Sequence, residues 1–374
     1  MSRYFDPDVW AAIPFHFWAL VFFAFGCVVG SFLTVCIHRM PLGQSIISPP
    51  SHCPQCGYSI PWYLNIPLLT WPSLRGRCAN CRAPISARYF LVELLTGVAF
   101  AGSWMWAGRQ SAPLALAYCL ILAGFIVATF IDFEHFIIPD EITLGGIVAG
   151  LIVSFLVPAI HGVTTAKDAV QKSFWGAVVG GGVIYAILRL GKVLFGRQKL
   201  ELAADTRLVF TETGLVLPDR EIPYEDLFYR KSDVITLRAV RVELIDRCYG
   251  AVTVRLSPEH LEIGEETLNP EETAHMEVVT DSVVLPREAM GFGDVKFMAA
   301  IGAFLGWQAT LFSLMFSSMI GALVGLTFIA LRKQAWSARL PYGPYIALAA
   351  TGWMFGGKRL VELWLIHYAG LLRS

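Results

Sequence analysis

Asp132 and Asp294 are the residues of this chain best placed to do chemistry. Each is a carboxylate at the end of an apolar run, in "ATFIDFEHFIIPDEIT" and "MGFGDVKFMAAIGAF". An ionised side chain inside a bilayer costs roughly 3 kcal/mol on insertion scales, so one kept there implies a use. Two carboxylates held close share one proton, because both cannot easily ionise together. The charged one then activates a water and the protonated one donates to a carbonyl oxygen, which is how paired aspartates hydrolyse a peptide bond. Gly291 and Gly293 would let the backbone approach an extended peptide or unwind beside the acid. At membrane depth, unwound backbone is tolerated only beside a cavity. Simpler roles compete for the same region. Asp294 could cap its helix, with Lys296 pairing to it or snorkelling. Asp140, after Pro139, reads as an N-cap, and Glu134 as a solvated turn residue.

The second constellation is "CPQCG" and "CANCR", which place Cys53, Cys56, Cys78 and Cys81 as two C-x2-C knuckles with 21 residues between them. Each knuckle turns two thiolates toward one tetrahedral ion, and two knuckles complete a four-sulfur shell that suits Zn2+. Four thiolates leave no open position for a catalytic water, so one zinc per chain would be structural. Paired disulfides are the other use of four cysteines, and a reducing compartment argues against them. Cys27, Cys36 and Cys119 lie in apolar runs and read as packing residues. No H-E-x-x-H occurs, which disfavours a zinc metallopeptidase.

The elements that must position these groups are membrane helices. The 374 residues are 55% apolar, with mean hydropathy +0.57, beyond what soluble domains of this length show. Apolar runs predict eight spans near 15–37, 89–107, 113–131, 143–160, 173–195, 293–306, 308–331 and 343–368. Residues 357–374 have an interfacial helix as their alternative. The N-terminal run has no small-residue cleavage site and reads as a retained first span. Loop 38–88 has five Arg and no acid, and loop 332–341 carries Arg332, Lys333 and Arg339. By the positive-inside rule these loops are cytoplasmic and both termini lie outside, although Lys358, Arg359 and Arg373 run against it. Asp132 and Asp294 then share one membrane face.

The formal charge of zero hides two halves. Residues 196–288 hold 11 Lys/Arg and 19 Asp/Glu, a balance of −8, and the remainder therefore carries +8. Nothing resembles a nucleic-acid-binding patch. "RLVFTETGLVL", "DVITLRAVRVELI" and "AVTVRL" are β-branched or alternating, with turns expected at Pro218-Asp219 and Tyr249-Gly250. The expected fold is thus an α-helical polytopic membrane protein with a zinc-ribbon-like loop and an inserted soluble β-rich domain. Its segments are a first span (1–37), the four-cysteine zinc loop (38–88), spans two to five (89–196), the acidic insert (197–288) and spans six to eight (289–374). The insert has no catalytic motif. It could attract basic segments, bind a further partner or act as a spacer.

These stretches resemble the type IV prepilin peptidases, the leader peptidase/N-methyltransferases of bacterial type IV pilus and type II secretion systems. "GSFLTVCIHRMP" (30–41) is similar to the family's first-span exit, and residues 53–97 to its cysteine loop. "IDFEHFIIPD" (131–140) resembles the first aspartate motif, and "MGFGDVK" (290–296) the G-x-G-D motif. The resemblance implies cleavage of a short basic leader from prepilins or pseudopilins, after a leader glycine, at the cytoplasmic face of the inner membrane. It places the catalytic aspartates on Asp132 and Asp294 and the motif glycines on Gly291 and Gly293. It implies methylation of the new N-terminus from S-adenosylmethionine, with Glu93 of "RYFLVELLTG" carried over to that site. Membrane lipid is the surrounding partner, and nucleic acid is not one. The chain departs from the family pattern at Phe90, where Pro is common, and in the long insert before G-x-G-D. The competing classes are a non-catalytic zinc-binding assembly factor, in which the acids only cap helices, and an ion-coupled transporter. No inverted repeat supports the latter.

Overall fold

A computed structural model describes residues 14–195, 197–228, 233–270, 273, 275–286, 291–331 and 340–371. Arg332, Lys333 and Arg339, on which part of the orientation argument rests, lie outside the described residues, as does Arg373. The chain divides into two compact units, Met1–Ile184 with Phe292–Ser374, and Tyr185–Gly291.

The longer helices are α1 (Phe15–Arg39), α2 (Arg88–Ala107), α3 (Ala112–His135), α4 (Asp140–Leu156), α5 (Ala166–Phe195), α6 (Phe292–Leu305), α7 (Trp307–Ala330), α8 (Gly343–Gly352) and α9 (Lys358–Leu371). Among the described residues, α1, α2, α3, α5 and α7 are long and apolar enough to cross a bilayer. α4 and α6 have 17 and 14 residues, about 25 and 21 Å at 1.5 Å per residue. That is short of a hydrocarbon core of about 30 Å. The single span expected at 343–368 is broken. Phe355 leaves helical geometry and Gly356 takes φ 142°, a conformation open to glycine but not to residues with a Cβ. Helices thus stand at all the predicted positions, but five have the dimensions of a span.

α3 is the central helix. Two thirds (67%) of its most apolar stretch is buried, against 11% for α7. α6 is covered almost all round, with Val295, Phe297, Met298, Ile301 and Phe304 buried. In lipid, close van der Waals packing between small residues replaces the hydrophobic drive. Gly176 of α5 and Gly302 of α6 cross so closely that a Cβ on either would lie 2.0 Å from the other's carbonyl oxygen. At the α1–α2 crossing, a Cβ on Gly97 would lie 2.6 Å from Cys27 Sγ. α3 also runs farther than its apolar stretch predicts. It ends at His135, so Asp132 and Glu134 belong to its last turn instead of following it, and Phe136 caps it in the left-handed region. Glu134 is exposed, as expected, and also pairs with Arg88.

The second unit holds one antiparallel sheet of eight strands, β1 (Arg197–Phe210), β2 (Gly214–Val216), β3 (Glu221–Pro223), β4 (Ile235–Glu243), β5 (Cys248–Leu256), β6 (Leu261–Ile263), β7 (Glu266–Leu268) and β8 (Met276–Pro286), ordered β3-β2-β1-β8-β4-β5-β6-β7. Alternate residues, among them Ile235, Leu237, Val254, Val278 and Val283, fill its core. First and last strands pair along their length, from Arg197–Pro286 to Phe210–Met276. The sheet therefore enters and leaves the chain at one point, which is how a domain inserts into a loop without parting the flanking elements. The turn at Pro218-Asp219 is present, closed by Leu217 N–H to Arg220 O (2.8 Å). Tyr249-Gly250 is not a turn. Both residues pair within β5 against Val242 and Arg241, and the chain reverses at Leu244–Arg247. The central strand β8 has no counterpart in the sequence reading. Its Asp281-Ser282 form a bulge, where the buried positions shift phase between Thr280 and Val283. Thr280 Oγ1 donates to Arg238 O (2.7 Å) there, satisfying a carbonyl the bulge disturbs.

Candidate active site

Asp132 and Asp294 are both buried, at 5% and 9% exposure, α3 bringing the first and the opening turn of α6 the second. Phe125 and Phe297 lock the two helices together by an edge-to-face contact at 5.6 Å. These rings lie seven residues before Asp132 and three after Asp294. Closer to the carboxylates, Ile138 of the α3–α4 connection is a shared neighbour. A Cβ on Gly293 would lie 3.5 Å from Ile138 N, and a Cβ on Gly343 3.1 Å from Ile138 Cδ1 and 2.8 Å from Asp132 Oδ2. Gly293, next to Asp294 in the chain, and Gly343, which bonds Asp132, therefore both stand against Ile138. Gly291 is exposed and stands just before α6.

Gly343 is the residue that motif reading missed. Its backbone N–H donates to Asp132 Oδ2 at 2.8 Å, which fixes the carboxylate's orientation. The preceding Tyr342 anchors this start of α8, its hydroxyl sharing hydrogen bonds with Ser317 and Ser318 of α7, both at 2.8 Å. The available signal was "PYGP", a glycine between helix-starting residues. It sits 211 positions from Asp132, and nothing in the string links the two.

Lys296, which the sequence allowed either to pair with Asp294 or to snorkel, pairs with Asp140. Its Nζ lies 2.6 Å from Asp140 Oδ1 and over the Phe292 ring. Asp140 in turn is not an N-cap. Pro139 occupies that position with no side-chain cap bond, and Asp140 is the first helical residue. Its charge still suits the positive end of α4, while the ion pair ties the starts of α4 and α6 together. Both side chains keep contact with water, at 24% and 59% exposure, so the pair is worth little. Melting temperatures of Lys296→Met, Asp140→Asn and the double variant are expected to give a coupling below about 1 kcal/mol. A coupling above about 2 kcal/mol would show a desolvated pair that organises the site.

The four cysteines converge in the loop between α1 and α2. Their sulfurs all lie within 4.8 Å of one another, and Cys53 Sγ–Cys81 Sγ is 3.8 Å. All four are free thiols. The knuckles are built alike. Gly57 N–H donates to Cys53 O and Arg82 N–H to Cys78 O, with Gly57 and Arg82 both left-handed. A tetrahedral ion with bonds of about 2.3 Å has sulfur–sulfur edges of about 3.8 Å, so the donor set fits a metal. The Tyr58 backbone N–H, then the Asn80 amide, holds the Cys56 thiol down to about 6, while Cys81 in the same cluster is pushed up to about 11, so it is the sulfur geometry that speaks for a metal.

Glu93 is the remaining acid that the sequence singled out. It is 9% exposed on α2, and its Oε2 accepts the backbone N–H of Leu68 at 2.8 Å. It lines a cavity of about 340 Å³ between α1, the cysteine loop and α2.

The chain matches two family models. The Bacterial Peptidase A24 N-terminal domain covers residues 24–107, and the Type IV leader peptidase family covers residues 119–204 and 272–326. The break in the second match, 205–271, falls inside the sheet unit. A prepilin leader peptidase/N-methyltransferase of Myxococcus xanthus is 30% identical over 87% of this chain and 68% of its own length. One from Aeromonas hydrophila is 29% identical over 95% and 96%, and one from Pseudomonas aeruginosa 25% identical over 97% and 98%. No solved structure matches the chain.

Proposed function

The chain belongs to the type IV leader peptidase family, and on that premise we propose that it cleaves prepilin leaders with Asp132 and Asp294 as its aspartyl pair. It removes the leader peptide of prepilin substrates and N-methylates the terminus so exposed. The observation that supports the pair is two buried carboxylates, one accepting from Gly343 and one following Gly293, whose glycines both stand against Ile138. One ionised carboxylate takes a proton from the attacking water, and its protonated partner donates to the scissile carbonyl oxygen. The Gly343 N–H on Oδ2 of Asp132 leaves Oδ1 for water or substrate. Gly291 and Gly293 give the substrate backbone room beside Asp294. Cleavage takes place at the cytoplasmic face of the inner membrane, in agreement with the five arginines of loop 38–88. Residues 197–288 form an accessory domain outside the hydrolytic chemistry. The deciding experiment is co-expression with a prepilin, followed by mass spectrometry of the mature N-terminus. A cleaved, methylated product is expected, and an intact leader in the presence of membrane-inserted protein would reject this reading.

The ion of the four-cysteine cluster is, in this reading, one structural zinc, because four thiolates in a tetrahedron suit it. Purified protein is expected to carry about one equivalent of zinc. Cys56→Ser or Cys81→Ser should remove most of it and loosen loop 38–88, leaving cleavage less affected than methylation. Zinc-free protein with full methylation would rule the ion out.

A further inference from the structure

The loop between α1 and α2 carries apolar side chains that the cysteine cluster does not use. Its segment 61–70, "PWYLNIPLLT", folds as one closed turn. Leu64 N–H donates to Pro61 O (2.9 Å), Asn65 N–H to Trp62 O (3.1 Å) and Thr70 N–H to Ile66 O (3.1 Å), while Ile66 N–H reaches Thr70 Oγ1 (3.1 Å). With these backbone groups satisfied internally, the turn presents side chains. Trp62 is 80% exposed and Leu69 66%, and Tyr63 and Ile66 are exposed beside them in the chain. Trp62 and Tyr63 meet edge to face at 6.0 Å. Large apolar groups gathered on a surface mark an interaction site.

The depth of the turn says what it meets. α2 has 20 residues, about 30 Å at 1.5 Å per residue, which is the thickness of a hydrocarbon core. Its first turns therefore mark a membrane boundary, with the Arg88–Glu134 ion pair on the polar side. Trp71, directly after the turn, packs on Phe90 at 5.8 Å and donates from Nε1 to Ile85 O (3.0 Å). Leu68 N–H donates to Oε2 of Glu93, in the second turn of α2, at 2.8 Å. Helix side chains lean toward the helix N-terminus, so Leu68 and Leu69 stand level with the first two turns. That is the headgroup level, where Trp and Tyr collect because each has an apolar body and a polar edge. The charge of the loop agrees. Residues 38–88 hold five Arg and no acid, and Arg75, Arg77 and Arg82 are exposed. Such a segment attracts anionic phospholipid.

We propose that turn 61–70 is a membrane-docking surface. It seats Trp62, Tyr63, Ile66 and Leu69 among the headgroups of the leaflet on the loop's side, with the arginines on anionic lipid. The cysteine loop is then held at three points, by α1, by α2 and by the bilayer itself. An apolar helix of a protein partner is the rival occupant. Such a helix lays one face into a groove, and a tryptophan 80% exposed lines no groove.

The test is photo-crosslinking of full-length protein in nanodiscs of phosphatidylethanolamine and phosphatidylglycerol, with a prepilin present. A benzophenone-bearing phenylalanine replaces Trp62 or Leu69, and in the control Gln55, exposed in the first knuckle. Lipid adducts at 62 and 69 are expected to exceed those at 55 about tenfold. Discs with phosphatidylcholine in place of phosphatidylglycerol should give roughly half the adducts or fewer. Leader cleavage within about twofold of the unaltered rate reports correct folding of each labelled protein. Tyr63 and Ile66 are the positions to label where that rate is lost. Prepilin adducts in place of lipid ones would overturn the proposal and give the surface to the substrate. Adducts no more abundant than at Gln55 would overturn it and leave the turn in water. A yield indifferent to lipid charge would overturn the part assigned to the arginines.

Discussion

Asp132→Asn and Asp294→Asn are each expected to remove leader cleavage, by about a thousandfold or more, in protein that still inserts and folds. Asparagine matches the shape of aspartate, so helix packing around Ile138 should survive. The amide can neither accept the water's proton nor exist in a charged form that shares one. Loss at either position should match loss at both, because the two carboxylates act as one unit. Cleavage assays on membranes with equal protein levels check this. Cleavage near the unaltered rate in either variant would sink the pairing and return the residue to a helix-capping role. Methylation of a pre-cleaved substrate should persist in both variants, since the resemblance carries methyl transfer to Glu93 and not to either aspartate.

Gly343→Ala is expected to cost about a hundredfold in kcat with a smaller change in KM. The added Cβ would lie 2.8 Å from Asp132 Oδ2 and 3.2 Å from its Cγ. Carbon and carboxylate oxygen cannot sit that close without one moving. Either Asp132 turns away or the start of α8 retreats, and in both cases the N–H···Oδ2 bond lengthens. Gly343 touches the catalytic group through its backbone, so the damage should fall on the chemical step. A purely structural role would lower protein level and leave the kcat of the surviving enzyme intact, and that result would refute the positioning role. Tyr342→Phe probes the same element more gently. It removes the hydroxyl bonds to Ser317 and Ser318 and should cost less than tenfold, about one hydrogen bond.

Read from sequence, the two chemistries were visible because each is written locally. C-x2-C spacing brings two sulfurs together within one turn of chain, so the cysteine cluster needed only a loop that closes. An acid bounded by apolar residues marks a membrane position, so Asp132 and Asp294 stood out before any helix was placed. Helix locations were legible for the same reason, as apolar runs of the right length. Boundaries were less so. Asp132 lies inside α3 because the helix ignores the polarity of its last turn, and the final run breaks at Gly356, where the string shows only glycines in an apolar context. The sheet was legible as β structure, but its central strand β8 was not, since the bulge at Asp281-Ser282 breaks the alternation by which a half-buried strand is read.

What only the tertiary structure decided is which distant groups share a neighbour. Asp140 was assigned a cap and pairs instead with Lys296, because the packing of α4 on α6 brings their starts together. Gly343 reaches Asp132 across 211 positions, and Glu93 reaches Leu68 across 25. Such contacts depend on helix crossings set by small residues such as Gly176 and Gly302. Sequence spacing carries the reach of one helix or one turn, a few residues at most. Beyond that reach, position follows from how whole elements pack.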